Sequence, residues 1–290
     1  MVVKYAQKTG NYHQNVREII NKVAYDSLMI DTHCHLTSKQ LVSRQEEIID
    51  RAELAGVHAM ITVATDAKDA IAARDLAEAD SRVFCSSGIH PLYADSAWNW
   101  DLVLEASKSP RCVAWGELGL DRHYDHPPLS MQKGLLGEHL SLIEDQKEDK
   151  RPIIVHCRLA VDDLLPIFTA TSLDPKRFVF HCFTEKPEDA QKILDFGAMI
   201  SFTGVVTFPN APQVAEAARL VPQNRMMVET DAPYLSPEPV RKIRPNEPKF
   251  VLHTAAFLAN LKGMDESEFE QLLDQNAIDF FNLESMIHIS

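Results

Sequence analysis

Eight short runs of β-branched or apolar residues recur along the chain, each followed by a longer stretch with helical period, and this alternation restricts the fold more than any other feature. The runs are residues 28–31, 58–63, 83–87, 112–116, 152–156, 178–181, 198–202 and 226–229. Between them, stretches such as 46–55, 67–79, 131–146, 160–170 and 187–196 repeat apolar residues three and four apart, and 266–273 and 277–283 read as the last helices. Strand–helix alternation predicts a parallel sheet. Eight such repeats in about 255 residues match a closed (β/α)8 TIM barrel. A doubly wound sheet would carry a Gly-rich turn after its first strand, and no G-x-G-x-x-G follows residues 28–31. No internal linker rich in Pro, Gly or Ser divides the chain, so residues 28–290 read as one barrel domain. Residues 1–27 form an N-terminal extension. There Val16, Ile19, Ile20 and Val23 make an apolar helical stripe, expected to cover the barrel bottom or a neighbouring surface.

Charge and cysteine content narrow the setting. With 42 Asp+Glu against 29 Lys+Arg the net charge is −13, which opposes sequence-blind adhesion to nucleic acid or anionic membrane, so any polyanion must be held locally. The longest uncharged stretch, 196–215, contains Pro209, Asn210 and Pro212 and does not read as a bilayer span. No continuous apolar segment marks an export signal, and the expected location is cytoplasmic. The cysteine count is 5, with no Cys-x-x-Cys pair, which points to reduced thiols. Cys34, Cys157 and Cys182 each adjoin a histidine, and alternation along a strand predicts that these thiols face the helix shell.

Histidines and carboxylates gather at the C-terminal ends of the expected strands, the rim where barrel enzymes build their chemistry. His33 and His35 are two apart on an extended segment, so both imidazoles point to one side and can share an ion. Together with Glu117, His156, His181 and Asp231 they put six potential ligands on five strand ends. That set suits zinc, manganese, iron or cobalt, or magnesium with more water. Four histidines and two carboxylates exceed one tetrahedral site, so the count favours two divalent ions, with Glu117 as the natural bridge.

With these residues in place, the sequence resembles the TatD family of metal-dependent deoxyribonucleases, within the amidohydrolase-like barrel superfamily, from about Met29 to the C-terminus. The landmarks are Ile30-Asp31-Thr32-His33-Cys34-His35-Leu36, Gly88-Ile89-His90-Pro91, Gly116-Glu117-Leu118-Gly119-Leu120-Asp121, Val155-His156-Cys157-Arg158, Phe180-His181-Cys182-Phe183-Thr184 and Val228-Glu229-Thr230-Asp231-Ala232-Pro233-Tyr234-Leu235. The resemblance implies a TIM barrel and a two-metal site of Mg, Mn or Zn from His33, His35, Glu117, His156, His181 and Asp231. It also implies hydrolysis of DNA phosphodiesters, often from the 3′ end, with single-stranded or frayed ends as the substrate. The chain departs from the family pattern at Glu185, where Gly is common, and in 240–248, which keeps Asn, Glu and Pro but lacks the usual His and Gly.

On this reading His33, His35 and Asp231 hold one ion, His156 and His181 the other, and Glu117 both. Asp231 takes the proton of the attacking water, and His90 contacts phosphate or protonates the leaving group. Asp31 and Glu229 lie two residues before proposed ligands and are expected to hydrogen-bond imidazole N–H groups. Arg158, Arg241, Lys242 and Arg244 are the candidate cations for substrate. The rival in another reaction class is an amidohydrolase or lactonase using the same metals on a carbonyl, and a metal-dependent binding module is the non-enzymatic rival. Many such amidohydrolases bridge their ions with a modified lysine from the fourth strand, where this chain has Glu117.

Overall fold

The computed structural model describes residues 28–286, so the Val16 to Val23 stripe lies outside the described residues. Its strands are β1 (Ile30–Cys34), β2 (Ala59–Thr62), β3 (Val83–Ser87), β4 (Cys112–Asp121), β5 (Ile153–Arg158), β6 (Phe178–Phe180), β7 (Met199–Phe202) and β8 (Met226–Val228). Each pairs in parallel with the next. Closure comes from the first and last strands: Cys34 bridges Ala232, the His35 N–H donates to the Ala232 carbonyl at 2.7 Å, and the Asp231 N–H donates to the His33 carbonyl at 2.9 Å. The result is a (β/α)8 barrel. Its helices are α1 (Gln45–Leu54), α2 (Ala67–Ala79), α3 (Trp100–Ser107), α4 (Leu129–Asp145), α5 (Val161–Thr169), α6 (Pro187–Phe196), α7 (Pro212–Leu220), α8 (Val251–Lys262) and α9 (Glu266–Phe281). No helix among the described residues is long and apolar enough to cross a membrane.

Two apolar layers follow from strand alternation. The outer layer packs residues such as Val155, Phe180 and Ile200 against the helices, and it takes in the thiols of Cys34, Cys85, Cys112 and Cys157. Cys182 departs from the expectation: it is half-buried, with its Sγ 3.7 Å from Thr203 Oγ1. The inner layer fills the lower barrel with Ile30, Ile61, Phe84, Ile154, Val179 and Met227, and Ile278 and Phe281 of α9 plug it from below. The expected pair of short final helices is therefore one helix. Its polar middle is held by tertiary bonds, since Asp274 accepts from the backbone N–H groups of Leu28 (2.9 Å) and Ile30 (3.0 Å), while Asn276 donates to the carbonyls of Gln223 and Met226. Left unpaired, each of those buried N–H groups would cost about 1–3 kcal/mol.

Strand β4 runs five residues past Gly116, where the sequence reading ended it. Gly116 and Gly119 have φ of +113° and +151°, and a Cβ at Gly119 would collide with the His156 carbonyl. These glycines let β4 press against β5 and continue, carrying Glu117 and Asp121 to the rim together.

Candidate metal centre

The ends of β1, β4, β5, β6 and β8 deliver six side chains to one buried cluster. His33 and His35 flank Cys34, and their Nε2 atoms lie 3.3 Å apart. Glu117 Oε1 is 4.0 Å from His33 Nε2 and 3.7 Å from His35 Nε2, and Asp231 Oδ1 is 3.8 and 3.3 Å from the same two atoms. The other carboxylate oxygen of Glu117, Oε2, faces His181 Nε2 at 2.7 Å and His156 Nδ1 at 3.4 Å. Ligand atoms held tetrahedrally at zinc-like bond lengths sit about 3.4 Å from one another. The spacings are those of a chelating set.

Hydrogen bonds outside the cluster decide which ring nitrogens face in. His35 Nδ1 lies 2.9 Å from the Val63 carbonyl, which only accepts, so that nitrogen carries the proton and Nε2 presents a lone pair. His156 Nε2 lies 3.1 Å from Asp121 Oδ2, which turns the Nδ1 lone pair of that ring inward. His90 is the reverse case. Its Nδ1 accepts from the Leu92 N–H at 3.0 Å, so the proton of the neutral ring sits on Nε2 and points into the site, 3.0 Å from His156 Nδ1. Burial first, and then His156, push the His90 imidazole down to about 3 and keep it neutral.

The centre is built for cationic charge. Burial raises the Glu117 carboxyl, but the contacts with His181 and His156 outweigh it and hold the group well below the usual carboxylate range. Buried His33 Nδ1 and His181 Nδ1 make no hydrogen bond. The rings of His33 and His181 stack 4.0 Å apart, an arrangement that repels if both are charged. Among the described residues, three groups bring candidate ligand atoms within 4.8 Å of one another: His33–His35–Glu117, His33–His181–Glu229 and His90–Glu117–His156. The set fits a two-metal site; the Leu92 N–H on Nδ1 of His90 makes that ring a hydrogen-bond donor towards the site and sets it apart from the other candidate ligands.

The remaining predicted residues fall differently. Asp31 accepts from the Thr230 N–H (2.9 Å), the Thr230 hydroxyl (2.5 Å) and the His33 N–H (3.3 Å), so it ties β1 to the segment after β8 and bonds no imidazole, contrary to the expectation. A register shift between Asp31 and Cys34 breaks the alternation that expectation assumed. Glu229 accepts from the Cys182 N–H at 2.6 Å and lies 3.5 Å from His181 Nδ1. Arg158 stands 5.4 Å from the centre of the Tyr124 ring. Arg241 lies over Phe208 at 3.7 Å and donates to Asn210, while Lys242 and Arg244 are exposed on the same loop. Glu185 is buried and accepts from the Leu159 N–H at 2.6 Å, which fixes the loop after β5. Asp121 was missed as an orienting group; it lies four residues past Glu117 on one strand, a signal available only once β4 is read through its glycines.

The sequence model of the TatD related DNase family matches residues 30–282, nearly the whole described barrel. The chain belongs to the TatD family. Among its relatives, the uncharacterized metal-dependent hydrolase YcfH of Escherichia coli K12 is 35% identical over 260 residues, covering 89% of this chain and 97% of that one. The 3'-5' ssDNA/RNA exonuclease TatD of Klebsiella pneumoniae is 30% identical over 263 residues, covering 88% and 98%. The crystal structure of YJJV, a TatD homologue from Escherichia coli, superposes with a TM-score of 0.80 at 29% identity, covering 88% and 98%. This TatD-family barrel is a metal-dependent hydrolase.

Proposed function

We propose that the barrel hydrolyses DNA phosphodiester bonds, working inward from the 3′ end of unpaired strands. The observation that carries the reading is the position of Glu117, whose Oε1 faces His33, His35 and Asp231 while its Oε2 faces His156 and His181. On this reading His33, His35 and Asp231 would hold one ion, His156 and His181 the other, and Glu117 would contribute to both. When bound, divalent ions neutralise phosphoryl oxygens and lower the pKa of water towards about 7. Asp231 leaves 14% of its side chain open to the mouth and is placed to accept the proton of the attacking water. His90 offers its Nε2–H to a phosphoryl oxygen; a neutral ring with its other nitrogen occupied by Leu92 is a hydrogen-bond donor and a poor acid. Arg158 at the end of β5, and Lys242 and Arg244 on the loop after β8, are the candidate contacts for neighbouring phosphates.

The family match and the Klebsiella relative support a nucleic-acid substrate, and a glutamate in the bridging place supports it over the carbonyl chemistry of a lactonase. The test is to incubate the chain with a 5′-labelled single strand, a blunt duplex and a panel of lactones, each with Mg, Mn or Zn and with chelator. The expected result is a ladder that shortens from the 3′ end of the single strand and needs metal. Lactone turnover without DNA cleavage would transfer the site to the amidohydrolase reading.

A further inference from the structure

The rim around the metal centre carries more exposed ring surface than the rest of the barrel. Six of the nine exposed large hydrophobic side chains among the described residues lie on loops that follow strands, and three of those six are tyrosines. Tyr93, Tyr124 and Tyr234 are 38%, 50% and 51% exposed. Each comes three residues after a polar group of the centre: His90, Asp121 and Asp231. Tyr93 and Tyr234 sit on turns whose N–H donates back to the carbonyls of His90 and Asp231, both at 2.9 Å, so their positions are fixed relative to the centre. The Tyr234 ring lies 6.5 Å from that of His35, and the Tyr93 and Tyr124 hydroxyls are within electrostatic reach of the Tyr234 hydroxyl. Arg158 lies beside the Tyr124 ring. Trp98 and Trp100, by contrast, pack on the core.

We propose that Tyr93, Tyr124 and Tyr234 form a stacking collar for unpaired nucleobases, which selects single-stranded ends without reading sequence; this rests on the phosphodiesterase reading above. A chain of net charge −13 cannot draw a polyanion by its overall field, and of the loop cations Arg241 is already engaged with Phe208 and Asn210. With few loop cations left for phosphate, part of the affinity must come from contacts indifferent to that charge. Base–aromatic stacking is such a contact, and it tolerates any sequence because every base has a π-face. In a duplex most base faces are covered by neighbours, so a collar of rings favours strands whose bases are free. The arginine beside Tyr124 adds a phosphate or cation–π contact at the same step.

The experiment uses the full, metal-loaded chain and two fluorescent single strands of one length, one normal and one whose last nucleotides carry tetrahydrofuran in place of the base. Binding is read by anisotropy and cleavage by KM. Wild-type protein should bind the base-less strand at least tenfold more weakly. Tyr93→Ala, Tyr124→Ala and Tyr234→Ala should each weaken binding of the normal strand by roughly tenfold and leave the base-less strand unaffected, with Tyr→Phe restoring it. Equal binding of the two strands by wild type, or Ala variants that weaken both alike, would overturn the collar. Binding without any cleavage would instead contradict the hydrolysis reading and leave the collar scored by anisotropy.

Discussion

Asp121 Oδ2 lies 3.1 Å from His156 Nε2, so a carboxylate at the end of β4 selects which nitrogen of an imidazole at the end of β5 meets the metal centre. Its other oxygen accepts from the His123 N–H at 2.8 Å and holds the carboxylate plane. Asp121→Asn retains that shape but loses the charge that favours the Nε2–H tautomer. We expect metal affinity or kcat to fall about 10- to 100-fold with an unchanged circular dichroism spectrum. Metal titration of the variant checks this, and unaltered affinity and rate would remove Asp121 from the account.

The exposed pair Lys242 and Arg244 is the part of the 241–244 run free to meet phosphate, since Arg241 is held over Phe208. The double alanine variant should raise KM for DNA with little change in kcat, because such contacts act equally on ground and transition states. Each lost phosphate contact should also flatten the salt dependence of binding by a slope of about 0.7 on single strands. An unchanged salt slope would place recognition elsewhere on the rim.

His139, in α4, gives the fold an acid limit apart from the metal centre. Burial pushes its imidazole down to about 3, and Nε2 accepts from the Ile89 N–H at 3.2 Å. Between pH 3 and the ordinary histidine value of 6.5 the unfolded chain therefore binds a proton that the folded chain does not. Stability is fully present above about pH 6.5 and is lost as pH falls through that window. His139→Leu should unfold more easily at neutral pH, having orphaned the Ile89 N–H, yet lose less further stability on going to pH 5 than wild type does. Urea midpoints of both metal-free proteins at pH 7.5 and 5 measure the difference.

Gly119→Ala should destabilise by about 2–5 kcal/mol, from a side chain at positive φ and a collision with β5 backbone that cannot yield. Gly137 is the control: a Cβ there meets nothing within 4 Å, so Gly137→Ala in α4 should stabilise by a few tenths of a kcal/mol to about 1. Thermal unfolding of the two variants should move in opposite directions.

The barrel was legible because its strands are buried on both faces and stand out as short apolar runs. The candidate ligands were legible because barrel closure puts all strand ends on one rim. Local irregularities hid the rest. The register shift in β1 turns Asp31 away from the imidazoles, and the glycines of β4 look like a strand end when they are what permits the strand to continue. The polar stretch Asp274 to Asn276 resembles a helix break, and only the bonds to β1 and to the segment before β8 show why the helix survives it. Tyr93, Tyr124 and Tyr234 lie on three separate loops, and nothing in their distance from one another along the chain announces that they share one rim.

The central claim is that Glu117 joins two ion sites, and metal content per chain in three proteins tests it. After equilibration with zinc and removal of the excess, wild type should hold two ions, His181→Ala one tightly and one weakly, and Glu117→Ala should have lost affinity at both positions. Retention of both ions by Glu117→Ala, or a fully active wild type with a single ion, would contradict the bridge.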